Sequence, residues 1–125
     1  MKRLNIELII RLHELQIEEF GGLNGVRDRN MLESSAHMPY LTYDGQELYP
    51  TIISKAACLC FGLIENHPFH DGNKRIGVIA MQVLLQINGI ELNVTDEDLI
   101  FLGTEIASGE LSRKQVLDWI LLHTR

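Results

Sequence analysis

Nine residues near the middle of the chain form what we call the central loop: His67-Pro68-Phe69-His70-Asp71-Gly72-Asn73-Lys74-Arg75. It combines a histidine that could act as a general base, a carboxylate that could bind a metal ion, a glycine turn and two adjacent cations. The glycine permits a tight turn whose backbone N–H groups can face an anion. A helix beginning at Gly72 or Asn73 would aim the positive end of its dipole at the same point.

The two cations of the loop, Lys74 and Arg75, fall in the first turn of that predicted helix. Cations are unfavourable there, because they face the positive end of the helix dipole. Their position suggests that a polyanion binds at this point. A polar loop between two buried helices is a suitable place for phosphate chemistry.

Two long apolar segments flank the central loop and are predicted to form the core. Residues Ile52 to Asn66 are apolar on nearly every side, which is typical of a helix buried all round. Pro50 suits the first turn of this helix, and the proline after His67 forces that histidine out of helical geometry. The second helix is predicted to run from Asn73 to Asn88.

Four further helices are indicated by their caps and apolar periodicity. Asn5 is a good N-cap for a helix over roughly residues 6–20, and a short helix is predicted from Asp28 to His37 with Pro39 closing it. Thr95 and Ser112 each open a capping-box pattern. The sequence therefore predicts an all-α bundle of six helices, with residues 1–125 forming one domain.

The stretch from Tyr40 to Tyr49 is the least helical part of the chain. Asp44-Gly45, flanked by apolar residues, is a hairpin or turn signal. A hairpin and a plain surface loop both remain open for it.

Composition restricts the class of protein. The formal net charge of −6 argues against a broad nucleic-acid surface, which would need a basic face, so we expect no direct nucleic-acid partner. Cys58 and Cys60 would point about 200° apart on a helix, which makes a disulfide between them implausible and a reducing cytoplasm suitable. We find no signal peptide and no apolar run of about 18 residues, so we expect no membrane association.

The central loop resembles the signature of the Fic/Doc family, HPFx[D/E]GN[G/K]R, in which eight of nine positions are constrained in type. The lysine at position 74 is similar to the death-on-curing (Doc) toxin branch. Other segments resemble that branch as well: residues 20–28 (FGGLNGVRD), 32–34 (LES) and 109–112 (GELS).

The resemblance implies a Doc-type toxin that uses ATP and Mg²⁺ to phosphorylate a hydroxyl of a protein, in that branch a translation elongation factor. It also implies a cognate antitoxin with a disordered segment that folds as a helix on the toxin, and a flap at the position of residues 40–49 that docks the target. No [S/T]xxxE[G/N] inhibitory helix is found in the sequence, which favours control by a separate antitoxin.

Each residue of the loop has a functional interpretation and a plain one. His67 is the candidate general base or caps the preceding helix, and Asp71 is the candidate Mg²⁺ ligand or the N-cap of the next helix. Gly72 and Asn73 form an anion nest or a plain turn, and Lys74 and Arg75 hold phosphates or are solvated surface charges. The structural residues are the core anchor Phe69 and the stiffening Pro68. His70 has no assigned role, and His13 is interpreted as a core histidine.

Three other functions remain as alternatives. Adenylylation is the commoner Fic chemistry, but Lys74 replaces the glycine of adenylylating members and Val78 replaces a second arginine that grips the distal phosphates. A metal-dependent phosphohydrolase could use the dipeptide His70-Asp71, but it needs further ligands that the remaining histidines do not present. An inactive binding module is disfavoured by the intact loop.

Overall fold

A computed structural model describes all residues from 1 to 125 and shows a helical bundle with one small antiparallel sheet. The helices are α1 (Ile6–Phe20), α2 (Arg29–His37), α3 (Ile52–Asn66), α4 (Asn73–Ile87), α5 (Asp96–Ala107) and α6 (Arg113–His123). The strands are β1 (Thr42–Tyr43) and β2 (Gln46–Glu47), and a short 3₁₀ turn covers Met38–Tyr40. The predicted all-α architecture with six helices is confirmed, whereas the single domain stays a prediction.

The helix starts follow the predicted caps, with one exception. Asn5, Asp28, Thr95 and Ser112 all accept a hydrogen bond from a backbone N–H in the first turn of their helices. The placement of Pro50 in the first turn of α3 was wrong. Thr51 is the N-cap, because its hydroxyl and that of Ser54 form a reciprocal capping box, and the proline lies before it.

Two helix ends also differ slightly from the prediction. Pro39 does not close α2 by itself but lies within the 3₁₀ turn that continues directly from it, where the missing N–H of proline costs little. Asn88 is the C-cap of α4 rather than its last residue.

The core forms where α3 and α4 pack together, as predicted. Gly77 of α4 is required at this crossing: a Cβ there would lie 2.6 Å from Cγ1 of Ile64 and 3.1 Å from the carbonyl oxygen of Cys60. Cys58 and Cys60 are both buried and unpaired, so the prediction of no disulfide is confirmed. None of the helices is both long enough and apolar enough to cross a membrane.

The Tyr40–Tyr49 stretch contains a hairpin, formed by β1, β2 and the turn between them. Thr42 pairs with Glu47 and Tyr43 with Gln46. Asp44 and Gly45 have φ angles of 52° and 76°, as a two-residue turn with both central residues left-handed requires. The hairpin alternative is therefore confirmed.

A buried lysine that sequence reasoning missed anchors this hairpin. Lys55 of α3 is 0% exposed, and its ammonium donates to the Glu47 carboxylate at 2.9 Å, to the Pro39 carbonyl at 3.3 Å and to the Tyr49 carbonyl. His67 follows Lys55 by twelve residues of α3, which is about 18 Å at the helical rise. The base of the hairpin therefore lies at the opposite end of α3 from the central loop, and target docking by the hairpin stays a prediction.

Candidate active site

His67 ends α3 in the left-handed conformation, with φ 48° and ψ 54°. This confirms that the following proline excludes the helical conformation at this position. The side chain is exposed, and its Nδ1 lies 3.3 Å from the Glu65 carbonyl oxygen. Because a carbonyl only accepts, this contact requires a proton on Nδ1, and in the neutral ring Nε2 then has a free lone pair. One ring nitrogen thus caps the helix end, while the other can accept a proton.

The glycine-rich segment 22–28 holds the entrance of the central loop through backbone hydrogen bonds. The N–H of Arg27 donates to the Pro68 carbonyl at 2.8 Å, and the N–H of His70 donates to the Gly25 carbonyl at 3.1 Å. These two bonds flank an isolated antiparallel bridge between Val26 and Phe69. The loop is therefore paired like a short strand and is not a free surface turn.

Arg27 adds a side-chain contact to the same region. Its guanidinium donates from Nε to the carbonyl of His67 at 2.7 Å and from Nη2 to that of Asn66 at 3.1 Å. These carbonyls at the end of α3 would otherwise lack intrahelical partners. Sequence reasoning gave Arg27 no role, although it lies in a segment that carries the resemblance.

Phe69 and Asn73 lock the middle of the loop. Phe69 is 1% exposed, as expected of a core anchor. The Asn73 side chain accepts from the Phe69 N–H and donates to the Phe69 carbonyl, both at 3.0 Å. Its amide group therefore braces the loop, so only its backbone N–H remains to face an anion.

Two buried residues of α1 contact the side of the loop that faces the core. The ring of His13 stacks on that of Phe69 with centroids 3.8 Å apart, and its Nε2 lies 2.7 Å from the carbonyl oxygen of Asp71. Gln16 donates from Nε2 to the carbonyl of Gly72 at 3.2 Å. His13 is a core histidine, as predicted, but its contact with the loop was missed. Gln16 was missed altogether, and its only sequence signal is its place three residues further along the same helix.

The Asp71 carboxylate is held by two backbone donors and remains exposed. Its Oδ1 accepts from the Gly72 N–H at 3.0 Å, and its Oδ2 accepts from the Leu23 N–H at 3.2 Å. Asp71 is not the N-cap of α4, because Gly72 occupies that position and no side chain caps the helix. The alternative of a purely capping role is therefore wrong. Each oxygen still has a lone pair for a further ligand.

The start of α4 presents unpaired donors. Gly72 has a φ of 77°, which favours glycine, and a Cβ there would lie 2.2 Å from Nε2 of Gln16 and displace that side chain. The first N–H with an intrahelical acceptor is that of Ile76, which leaves those of residues 73–75 without partners. Lys74 is exposed, and the guanidinium of Arg75 lies 4.1 Å from the centroid of the Phe20 ring. Both residues belong to the first turn of α4, the turn that carries these donors.

A surface cavity lies away from the central loop, and no cluster of metal ligands is present. A polar surface cavity of about 540 Å³ lies at Gln86, Gly89, Glu91 and Arg125. It is beside the far end of α4, about 20 Å along the helix from the central loop. The structure contains no group of three or more His, Cys, Asp or Glu side chains that could hold a metal ion.

Comparison with known proteins gives the family. A model of the Fic/DOC family matches residues 3–85, which include the central loop and the two supporting residues of α1. The chain belongs to the Fic/DOC family. Toxin Doc of Mycolicibacterium smegmatis is 41% identical over 73 residues, which are 58% of this chain and 56% of that protein. Protein kinase doc of Escherichia phage P1 is 27% identical over 118 residues, which are 94% of this chain and 92% of that protein.

The chain thus spans little more than half the length of the first relative and nearly all of the second. The family match extends from the start of α1 almost to the end of α4. Membership in the Fic/DOC family therefore rests on the same elements that build the candidate site.

Proposed function

We propose that this chain is a Doc-type toxin that transfers the γ-phosphate of ATP to a hydroxyl of a target protein. The observation that carries the proposal is the free Nε2 of His67 on the same loop as the uncapped start of α4 with its two cations. The similarity to proteins named Toxin Doc and Protein kinase doc supports it.

His67 is the proposed general base. The target oxygen attacks the γ-phosphorus and forms the new P–O bond while its proton passes to Nε2 of His67. The bond between the γ-phosphorus and the bridging oxygen breaks, and ADP leaves with that electron pair. The Nδ1–H···O=C bond to Glu65 orients the ring and favours the imidazolium that forms. A positioned base of this kind contributes roughly 10²–10⁴-fold in rate.

The start of α4 is the proposed phosphate site. The unpaired N–H groups of residues 73–75 and the helix dipole favour a polyanion. Lys74 adds an exposed point charge, and Arg75 adds a guanidinium that can bind phosphate oxygens in a bidentate manner. These groups would bind where charge develops on the phosphoryl oxygens in the transition state.

Asp71 is the residue that would hold Mg²⁺. Mg²⁺ commonly binds one or two carboxylates together with substrate phosphates and water, so a lone exposed carboxylate fits ATP-bound Mg²⁺. When bound, the ion neutralises charge on the phosphates. A phosphohydrolase using His70-Asp71 would need a preformed set of metal ligands, and no such set surrounds these residues.

Val78 favours phosphoryl over adenylyl transfer. It stands where the longer motif has a second arginine, and its side chain is only 6% exposed in the core. Lys74 stands where adenylylating members have glycine, and its side chain occupies space at the start of α4. We therefore propose that ATP binds with its γ-phosphate, and not its α-phosphate, beside His67.

We further propose a cytoplasmic site of action, a translation elongation factor as the target and a cognate antitoxin as the inhibitor. Apolar surface suited to an antitoxin helix lies beside the loop: Phe20 is 56% and Leu23 63% exposed. Leu23 also contacts Asp71 through its N–H, so a helix bound there would cover the site. The net charge of −6 supports protein over nucleic-acid partners.

The test uses ATP labelled separately at the α and γ positions, incubated with the purified chain and a cell extract in Mg²⁺. We expect γ-label on one protein. His67→Ala should lower this transfer roughly 10²–10⁴-fold with an unchanged circular dichroism spectrum. His70→Ala is the matched control, because His70 is an exposed histidine of the same loop whose only hydrogen bond is made by its backbone.

Lys74→Gly should strongly reduce the transfer of γ-label. Transfer of α-label by the unaltered chain would show adenylylation and would overturn the proposed phosphorylation.

A further inference from the structure

His13 and Gln16 lie one turn apart on α1 and hold two successive carbonyls of the central loop. Nε2 of His13 lies 2.7 Å from the oxygen of Asp71, and Nε2 of Gln16 lies 3.2 Å from the oxygen of Gly72. Both side chains are buried, with 0% and 3% exposed. Since carbonyls only accept, His13 must carry its proton on Nε2 in this contact.

The His13 bond fixes the peptide plane between Asp71 and Gly72. The Gln16 bond adds to the helical bond from the N–H of Ile76 in holding the next plane, between Gly72 and Asn73. In a trans peptide the C=O and the following N–H point in opposite directions. Carbonyls directed at α1 therefore turn the N–H groups of Gly72 and Asn73 away from α1. The first of these N–H groups binds Oδ1 of Asp71, and the second is an unpaired donor at the start of α4.

Packing alone does not account for a histidine and a glutamine at these positions. Nδ1 of His13 and Oε1 of Gln16 are buried without any hydrogen-bond partner. Burying an unpaired acceptor is unfavourable, so apolar side chains of similar size would fill the same space at lower cost. What the two polar residues supply, and apolar ones cannot, is the donor to the Asp71 carbonyl and a second donor to the Gly72 carbonyl, beside the N–H of Ile76.

We propose that His13 and Gln16 are positioning residues for phosphate transfer. They hold the backbone so that the Asp71 carboxylate and the N–H of Asn73 face Mg²⁺·ATP, and the stacking of His13 on Phe69 fixes the plane of its ring. This inference rests on the function proposed above and extends it to residues buried behind the loop. Neither residue touches the reacting groups.

The experiment compares His13→Leu, which removes the donor, with His13→Gln, whose amide N–H can reach the same carbonyl. Gln16→Leu removes the second donor. At a temperature where all variants are folded by circular dichroism, we expect His13→Leu to lower kcat/KM for ATP about ten- to a hundredfold. Gln16→Leu should lower it less, because the N–H of Ile76 still holds the Gly72 carbonyl. His13→Gln should stay within about threefold of the unaltered chain, because the hydrogen bond is kept.

A merely structural role predicts a different result. The melting temperature would fall, while kcat/KM per folded molecule stayed the same in every variant. Folded His13→Leu with unaltered kcat/KM overturns the proposal, and so does an equal loss in His13→Gln and His13→Leu.

Two readouts separate this inference from the proposed function. The first is equilibrium binding of Mg²⁺ with a non-hydrolysable ATP analogue. Binding that weakens in the leucine variants, in a chain that transfers no γ-label, leaves the positioning role standing and overturns only the kinase proposal. The second is the amide resonances of Gly72 and Asn73 without nucleotide. They should move in His13→Leu and return in His13→Gln, and resonances identical in all variants overturn the inference.

Discussion

Replacing Asn73 by aspartate removes one buried hydrogen bond at the start of α4 without changing the size of the side chain. In the native chain the amide accepts from the Phe69 N–H and donates to the Phe69 carbonyl, both at 3.0 Å. A carboxylate keeps the first bond. At the second position it places an oxygen against the carbonyl oxygen, where no donor remains.

The cost follows from these contacts. A lost hydrogen bond contributes about 1 kcal/mol, and a buried carbonyl left without a donor costs about 1–3 kcal/mol more. The favourable interaction of the new charge with the helix dipole offsets only about 0.5 kcal/mol of this destabilisation. We expect Asn73→Asp to lower the free energy of unfolding by about 3 kcal/mol near neutral pH, which is about 10 °C in melting temperature for a chain of this size.

Asn30→Asp is the matched control. Asn30 is exposed and also lies in the first turn of a helix, α2, so the same chemical change meets the same dipole without a buried partner. Its melting temperature should stay within about 2 °C of the unaltered chain. The assay is thermal unfolding of the three proteins followed by circular dichroism.

Acid should reverse part of the defect. When the new carboxyl of Asn73→Asp is protonated, its O–H can donate to the Phe69 carbonyl and restore the lost bond. The folded state then favours the protonated carboxyl, which raises the pKa of this group on folding. The stabilisation from the restored hydrogen bond is therefore present at low pH and is lost as the pH rises. The deficit relative to Asn30→Asp should therefore shrink between about pH 7 and about pH 4. Equal melting temperatures of the two variants near neutral pH would contradict the role of the Asn73 amide in holding the Phe69 carbonyl.

Three further predictions concern other parts of the fold. Gly22→Ala should lower the unfolding free energy by about 2 kcal/mol and weaken Mg²⁺-dependent transfer, because φ is +115° and a Cβ would lie 2.9 Å from Oδ2 of Asp71. Lys55→Met should cost about 2 kcal/mol in thermal unfolding, because its hydrogen bonds to three oxygens outweigh the burial of its charge. Burial raises the pKa of Cys60 to about 12 and also raises that of Cys58, so a thiol reagent at mildly alkaline pH should label the chain only after unfolding.

Each of these has a control or a contrary outcome. Gly21→Ala shares the positive φ but meets no atom within 4 Å, so it should strain the backbone and spare the transfer rate. Glu47→Gln keeps an oxygen acceptor for Lys55 and removes only the charge of a half-exposed partner, so it should cost less than Lys55→Met. Equal losses within either pair would contradict the contacts assigned to Gly22 or Lys55. Rapid labelling of the native thiols would contradict their burial.

The helices and the identity of the loop could be predicted from the sequence alone. Capping boxes, apolar periodicity and the proline after His67 act within a few residues of one another, so they can be recognised without a tertiary structure. The placement of the cations of the loop in the first turn of α4 follows from the same local signals. These features required only the local conformational preferences of the chain.

The contacts that hold the loop, and the position of the hairpin, could not be predicted from the sequence. His13 and Gln16 reach carbonyls 58 and 56 residues further along the chain, and no local pattern encodes the packing of α1 against that loop. In the sequence, Lys55 is an ordinary lysine within an apolar helix. Only the folded chain brings three oxygen acceptors to its ammonium group. Such contacts depend on how whole helices pack, because each donor finds its partner only once distant segments have been brought together.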